Sequence, residues 1–247
     1  MLSIGKVIES KKVTIDLSKN TSLLRRYVMD AYRSGFDEVH VIYQNPKDIE
    51  IIQKTSNEIL IGYEIVEQGD DSCTLRSIIK DSEEEFDNLL RRTFLVTSVM
   101  AKNSLEAIKK SDFELLKEAY VLEVTNNKFA LYCERILNKK GRASYLETNF
   151  LFAIVYQLEK IADEFKEICE HTGKNKIKLS NDIIRLYEKM NNMLELCQKL
   201  YYNFNENDAE LLTSIRNEII AKSESLFKAC SKNEIKKIIT NPNKILY

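Results

Sequence analysis

The feature of this sequence that most constrains its fold is the scarcity of residues that end helices. Among 247 residues there are only six glycines and two prolines. Four of the glycines and Pro46 precede residue 82, and the longer remainder holds only Gly141, Gly173 and Pro242. Because glycine and proline interrupt regular helices, such a stretch favours long helices joined by short connections. The sequence therefore predicts a mainly α protein whose exceptions lie in its first third.

The first third has the residue alternation of short strands separated by helices. The predicted order is strand, helix, strand, helix, strand, strand, over KKVTIDL, Ser18–Ser34, Glu38–Tyr43, a helix opened by Pro46, Leu60–Gln68 and Cys73–Ile79. The last two strands flank GDDS, a turn-forming group, and so predict a hairpin. Crossover helices imply at least one parallel strand pair. Residues 1–82 are therefore predicted to form a small α/β head.

From Phe86 onward the apolar residues follow helical spacing instead. The first stripe contains Phe86, Leu89, Leu90, Thr93, Thr97, Met100, Ala101, Ser104, Ala107 and Ile108. Two further stripes follow, the second after Ser111 and Asp112 and the third from about Ile154 to a helix end at His171–Gly173. Helices joined by short loops are antiparallel neighbours. Residues 83–247 are thus predicted to form an antiparallel bundle, with a three-helix repeat over 86–172 and a truncated second repeat over 177–247. In the second repeat a fourth stripe runs from Ile183 to Phe204, and a fifth helix begins at Asp208.

Charge and composition limit the possible functions. The 37 basic and 38 acidic residues give a net charge of −1, which disfavours specific nucleic-acid binding. The amino-terminal sequence has no apolar leader core, and the longest apolar run, Phe150–Tyr156, is too short for membrane insertion and is expected to be a buried helix segment. Five separated cysteines suit a reducing compartment, so a cytoplasmic location is expected; they are Cys73, Cys133, Cys169, Cys197 and Cys230.

No pattern of catalytic residues is evident in the sequence. His40 lies within a predicted strand among valines, and no motif places a serine, cysteine or carboxylate partner beside it. No glycine-rich phosphate-binding loop follows a strand. The protein is therefore predicted not to be an enzyme.

Carboxylates at helical spacing form the candidate site. Glu159 and Asp163 lie one turn apart on a flank of the third bundle helix, and Glu123 and Asn127 occupy the corresponding flank of the second. Oxygen ligands with net negative charge suit a hard metal ion, so a weak metal site at Glu159, Asp163 and Glu123 is one interpretation.

The other interpretation of this flank is a solvated or salt-bridged helix surface. Lys160, Arg135 and Arg142 are the cations that the sequence offers as counter-charges. Acidic pairs at this spacing are common in charged helices, so both interpretations remain open.

Two segments of the chain resemble the PhoU family, the regulators of phosphate uptake. FDNLLRRTFLVTSVMAKNSLEAIKKSDFELLKEAYVLEVTNN is similar to the family's first helix pair, and YQLEKIADEFKEICE is similar to its third helix. LIGYEIVEQ, ahead of FDNLLRR, resembles archaeal members that carry an α/β segment before the bundle. The resemblance covers the chain from about Val13 to Asp208.

The resemblance implies metal clusters bound through ExxxD motifs, of which Glu159 and Asp163 match fully. The second helix has Glu123 followed by Asn127, which replaces the second carboxylate of the motif with a neutral amide. The fifth helix has Glu218 followed by Lys222, which replaces it with a cation. The resemblance therefore implies a weakly bound ion such as iron, or no cofactor. An AbrB-like DNA-binding domain is not expected.

The function implied by the resemblance is that of a regulator of phosphate uptake and phosphate homeostasis. Such a protein would act as a non-catalytic adaptor on a phosphate transporter ATPase or a sensor kinase, and could form a homodimer. The alternative is a degenerate helical scaffold or dimerisation module that has lost metal and phosphate signalling.

Overall fold

The computed structural model describes residues 11–19 and 22–229. Cys230 and the predicted short end of the second repeat lie outside these residues. The chain divides into two compact units: the first contains residues up to Leu90 together with Asn127–Val155, and the second contains Arg91–Asn126 together with the residues from Tyr156 onward. The predicted division into residues 1–82 and 83–247 stays a prediction.

The first compact unit contains a four-stranded mixed sheet. The strands are β1 (Lys12–Asp16), β2 (Glu38–Ile42), β3 (Tyr63–Gln68) and β4 (Ser72–Ser77), in the spatial order β1-β2-β4-β3. β1 pairs in parallel with β2, and β4 pairs antiparallel with both β2 and β3. The predicted order of elements along the chain, the parallel pair and the terminal hairpin are all confirmed.

Two helices complete the α/β part of this unit. They are α1 (Leu24–Arg33) and α2 (Asp48–Ile59). Their apolar faces are buried together with the alternate residues of the central strands, as the near-complete burial of Val28, Ile52, Val39, Val41 and Leu75 shows. Burial of such side chains away from water is the main stabilising contribution to the head.

Five long helices make up most of the rest of the described chain. They are α3 (Glu83–Lys110), α4 (Glu118–Lys140), α5 (Tyr145–Asn175), α6 (Asn181–Tyr202) and α7 (Glu206–Ala229), with a short 3-10 turn at Leu115–Lys117. The mainly α architecture with an α/β head is therefore confirmed. Every residue of the predicted first stripe on α3 is buried. No helix within the described ranges is long and apolar enough to cross a membrane.

Polar contacts fix how α3 packs against α6 in the second compact unit. The buried hydroxyls of Ser104 and Tyr187 are 2.8 Å apart, and the Asn191 amide donates to the carbonyl oxygen of Ala101 at 2.8 Å. Farther along, Lys102 and Glu195 form an ion pair of 2.7 Å. Ala101 and Lys102 lie nearer the amino end of α3 than Ser104 does. Their partners on α6 lie nearer the carboxyl end of α6 than Tyr187, the partner of Ser104. The two helices are therefore antiparallel.

Three details of the helix predictions are wrong. α5 continues through Gly173 to Asn175, because Lys176 takes the left-handed conformation (φ 50°) that ends the helix. The amide of Ile177 then donates to the carbonyl oxygen of Thr172, the pattern of a Schellman motif. The segment Phe150–Tyr156 is only partly buried, since both end residues are exposed. Phe204, predicted within the fourth stripe, lies exposed beyond the end of α6.

Candidate functional site

The predicted carboxylates lie together with two lysines in the second compact unit. Glu123 is on α4, and Glu159, Lys160, Asp163 and Lys166 are on α5. We call these five residues the carboxylate–lysine cluster. The four α5 residues share one flank because spacings of three and four residues return to the same helix face.

Lys166 joins the two helices of this cluster. Its Nζ atom lies 2.6 Å from Oε1 of Glu123 on α4 and 3.3 Å from Oδ1 of Asp163 on its own helix. The shorter contact is the interhelical one, and it is within the range of a strong charge-assisted hydrogen bond. Lys166 therefore bridges α4 and α5.

Lys160 contacts two carboxylates of its own helix. Its Nζ atom is 3.0 Å from Oδ2 of Asp163 and 3.2 Å from Oε2 of Glu159. The two oxygens of Asp163 thus contact different ammonium groups. The structure supports the salt-bridged interpretation of this flank.

Burial distinguishes the interhelical pair from an ordinary surface ion pair. The Glu123 side chain is only 6% exposed and that of Lys166 is 22% exposed. Water screens such a pair less than it screens exposed charges, but both groups also lose hydration. A buried carboxylate of this kind needs its partner cation.

The pKa values of Asp163, Lys160 and Lys166 keep these three groups charged at neutral pH. Partial burial alone would raise the pKa of Asp163, but hydrogen bonds and charge from Lys160 and Lys166 outweigh it and lower that pKa from its ordinary 3.8. Burial opposes the charged form of Lys166, yet the Glu123 and Asp163 carboxylates raise its pKa above the ordinary 10.5. The pKa of Lys160 is raised by the same balance.

This donor set does not fit a metal ion while both lysines hold their positions. Both oxygens of Asp163 and one oxygen each of Glu123 and Glu159 already contact ammonium groups. No group of three or more His, Cys, Asp or Glu side chains in the described part of the chain is arranged to hold a metal. Metal ligation by Glu159, Asp163 and Glu123 stays a prediction.

Two of the predicted counter-charges lie elsewhere. Arg142 pairs with Asp87 at 3.0 Å in the first compact unit, and Arg135 is buried in that same unit. Both arginines therefore have carboxylate partners within the first compact unit. The sequence analysis also missed Lys166, although its position three residues after Asp163 on one helix was a readable signal.

Arg135 forms the other prominent charged site, which we call the arginine cluster. Its Nη1 atom donates to the carbonyl oxygens of Tyr32 at 3.1 Å and Phe36 at 2.6 Å, and Nη2 donates to Asp37 at 3.1 Å. Nε lies 3.4 Å from Oδ1 of Asp81, and neither of these two side chains is exposed. The guanidinium also lies over the ring of Tyr32, 5.0 Å from its centre.

Lys139 and Gly35 complete the contact of α4 with the head. Lys139 pairs with Asp37 and with Asp81, the latter at 2.8 Å. Gly35 has a φ of 83°, and a Cβ atom placed on it would lie 2.9 Å from Cβ of Lys139. Glycine is therefore required here both by its backbone conformation and by the close approach of α4.

The second repeat has no comparable buried cluster among its described residues. Glu218 pairs with Lys189, and Lys222 lies 3.4 Å from Asp182. These four side chains are all about half exposed. Single exposed pairs of this kind contribute little to stability.

These features define a class of protein: a helical bundle with an α/β head held by a buried arginine, and a carboxylate flank neutralised by lysines. Comparisons of the chain with protein-family models, with curated proteins and with solved structures found no match.

Proposed function

We propose that this chain is a PhoU-like adaptor that regulates phosphate uptake in the cytoplasm by binding a phosphate transporter ATPase or a sensor kinase. The proposal rests on the sequence resemblance of the first three bundle helices and of the segment before them. The mainly α architecture with an α/β head is compatible with that resemblance. In this proposal the protein regulates by binding and performs no catalysis.

The observation that carries an adaptor role is an exposed apolar face at the start of α5. Tyr145, Leu146 and Phe150, all in the first compact unit, are 83%, 80% and 61% exposed. Leu146 and Phe150 are four residues apart and therefore lie on the same helix face. Exposed apolar groups clustered in this way are typical of protein-binding surfaces.

Direct binding to the two partner classes tests the proposal. The purified transporter ATPase subunit and sensor kinase of the same organism are immobilised, and the full chain is titrated over each. The proposal expects saturable binding to one of them that Phe150→Glu weakens at least about tenfold, because a charge must then be buried in the interface. Leu211→Glu is the matched control, since Leu211 is also exposed but lies on α7.

The result that would reject the adaptor proposal is failure of the folded parent to bind either partner. Circular dichroism on the same samples establishes that each variant is folded. Binding that is identical in the parent and in both variants would retain the adaptor and reject the α5 face as its docking surface.

The second candidate is a helical scaffold or dimerisation module without metal or phosphate signalling. It is favoured by one specific observation, the engagement of Asp163 by both Lys160 and Lys166. Sedimentation measurements of the oligomeric state, combined with the partner-binding titration, distinguish the two candidates. A concentration-dependent dimer that Phe150→Glu dissociates, without binding to either partner, would support the scaffold.

A further inference from the structure

A cavity in the second compact unit lies between the carboxyl-terminal part of α5 and the segment Phe113–Lys117, just before α4. Its volume is about 570 Å³, which is within the range of small-molecule binding sites. We propose that this cavity binds a free amino acid with an apolar side chain. Such binding would be independent of the proposed adaptor function.

Apolar groups form most of the cavity wall. Leu116 and Cys169 are both buried, and Phe113 is partly buried beside them. A wall of this kind is typical of sites that hold the apolar part of a ligand, while a few polar groups fix its orientation. The ligand is therefore expected to have an apolar body.

Gly173 leaves room in this wall. It lies within α5, which ends at Asn175, and its φ is outside the positive range, so its backbone conformation does not require glycine. A Cβ atom placed on it would lie 3.7 Å from Cβ of Leu116, an ordinary contact, so alanine would also fit. Glycine is less favourable than alanine inside a helix. A large side chain at this position would extend into the cavity.

Four charged side chains also line the cavity, and two of them have partners. Lys166 belongs to the carboxylate–lysine cluster, and Nζ of Lys117 lies 2.6 Å from Oε2 of Glu114. The other two are Glu170 and Lys174, one turn apart on α5. Their side chains form no ion pair with each other or with any other described residue. One negative and one positive group at the cavity are therefore available to a ligand.

This pair of opposite charges determines the class of ligand. An anion would be attracted by Lys174 but repelled by Glu170, and a cation would meet the opposite balance. A zwitterion can satisfy both groups, because its ammonium group donates to Glu170 while its carboxylate accepts from Lys174. A free amino acid carries these two groups on one carbon atom, and its apolar side chain can lie against the wall.

Calorimetric titration of the full chain with L-phenylalanine tests the proposal. The parent is expected to bind one molecule per chain with a Kd below about 1 mM. Gly173→Leu is expected to weaken this binding at least about tenfold, because the new side chain occupies the cavity. Ala221→Leu is the matched control, since it enlarges a small residue that lines a different cavity, between α6 and α7. The control is expected to bind as the parent does.

Two analogues assign the charged contacts. N-acetyl-L-phenylalanine lacks the ammonium group, and L-phenylalaninamide lacks the carboxylate. Glu170→Gln is expected to weaken L-phenylalanine binding about three- to fivefold without weakening the acetyl analogue. Lys174→Gln is expected to weaken L-phenylalanine to a similar extent without weakening the amide. Both positions are exposed, so these variants are expected to fold, and circular dichroism checks that they do.

Three outcomes would overturn the proposal. The first is a folded parent that shows no saturable binding of L-phenylalanine below about 1 mM. The second is a folded Gly173→Leu that binds as tightly as the parent, because the ligand would then lie elsewhere. The third is an analogue that binds the parent as tightly as L-phenylalanine does. If Gly173→Leu does not fold, unchanged L-phenylalanine binding in both Glu170→Gln and Lys174→Gln would overturn the proposal instead.

Discussion

The guanidinium group of Arg135 donates a 2.6 Å hydrogen bond to the carbonyl oxygen of Phe36, which joins helix α4 to the turn between α1 and β2. The contact spans almost a hundred residues of sequence. It is made by a fully buried side chain whose charge is balanced by Asp37 and Asp81. The head of this protein is therefore completed by a bundle helix that follows it in the chain.

Replacement of Arg135 by methionine is expected to destabilise the protein by about 3–5 kcal/mol. The change leaves the buried Asp81 carboxylate with fewer cationic partners and removes the donor to two carbonyl oxygens. Arg135→Lys is expected to rescue little, because a single ammonium group cannot reproduce the planar set of donors. Urea unfolding followed by circular dichroism measures both variants.

The matched control for this experiment is Arg26→Met. The Arg26 side chain is 78% exposed and lies 4.0 Å from Asp30, so its loss is expected to cost less than about 0.5 kcal/mol. If Arg135→Met lowers the free energy of unfolding no more than the control does, the buried arginine cluster is not a significant source of stability.

Gly35→Ala is expected to destabilise the protein by about 1–3 kcal/mol. Residue 35 adopts a positive φ, and its new Cβ would press on the Cα and Cβ atoms of Lys139. Gly69→Ala is the control, because its backbone lies outside the positive-φ region and its nearest neighbours are 3.6 Å away. Equal melting temperatures for the two variants would contradict the close approach of α4 to this turn.

Asp163→Asn is expected to make the free energy of unfolding depend less steeply on pH in acid. The folded-state pKa of Asp163 lies below 3.8, so its contribution is present above the unfolded value and is lost as the pH falls through the folded value. Urea unfolding at several pH values between about 2 and 5 should therefore show a shallower dependence in the variant. Glu210→Gln, at an exposed position of α7, is the control. An unchanged acid dependence in Asp163→Asn would show that the lysine contacts do not persist in solution.

A fragment ending at residue 82 is expected not to fold by itself. It would lack Arg135 and Lys139, which contact Asp37 and Asp81 in the full chain. Amide NMR spectra of this fragment are expected to be poorly dispersed, and those of a fragment ending at residue 155, which retains α4, well dispersed. A dispersed spectrum with cooperative melting for the short fragment would instead support an independent domain with its boundary at residue 82.

Local sequence patterns were sufficient to predict the elements of this fold. Alternation predicted β1, and β-branched and aromatic residues predicted β2. The GDDS turn predicted the β3–β4 hairpin, and helical spacing predicted the first α3 stripe, every residue of which is buried. These patterns report which face of an element is buried, and that information is carried by neighbouring residues alone. The type and order of the elements follow from it.

Contacts between distant segments could not be predicted in the same way. Arg135 has the sequence surroundings of a helix-surface cation, yet its partners lie in α1, the turn after it and the segment before α3. The end of α5 was misplaced because Lys176, rather than Gly173, adopts the left-handed conformation. The proximity of the Glu123 and Asp163 flanks was predicted, but the lysine between them was not, since the choice among nearby cations depends on side-chain geometry.

Phosphate uptake by living cells tests the proposed regulatory function most directly. Initial uptake of radiolabelled phosphate is measured in the parent strain, in a strain lacking this gene and in that strain carrying the gene again, all grown in excess phosphate. The proposal predicts faster uptake without the gene and a return to the parent rate on its restoration. Identical uptake rates in the three strains would contradict a role in phosphate regulation and would favour the scaffold.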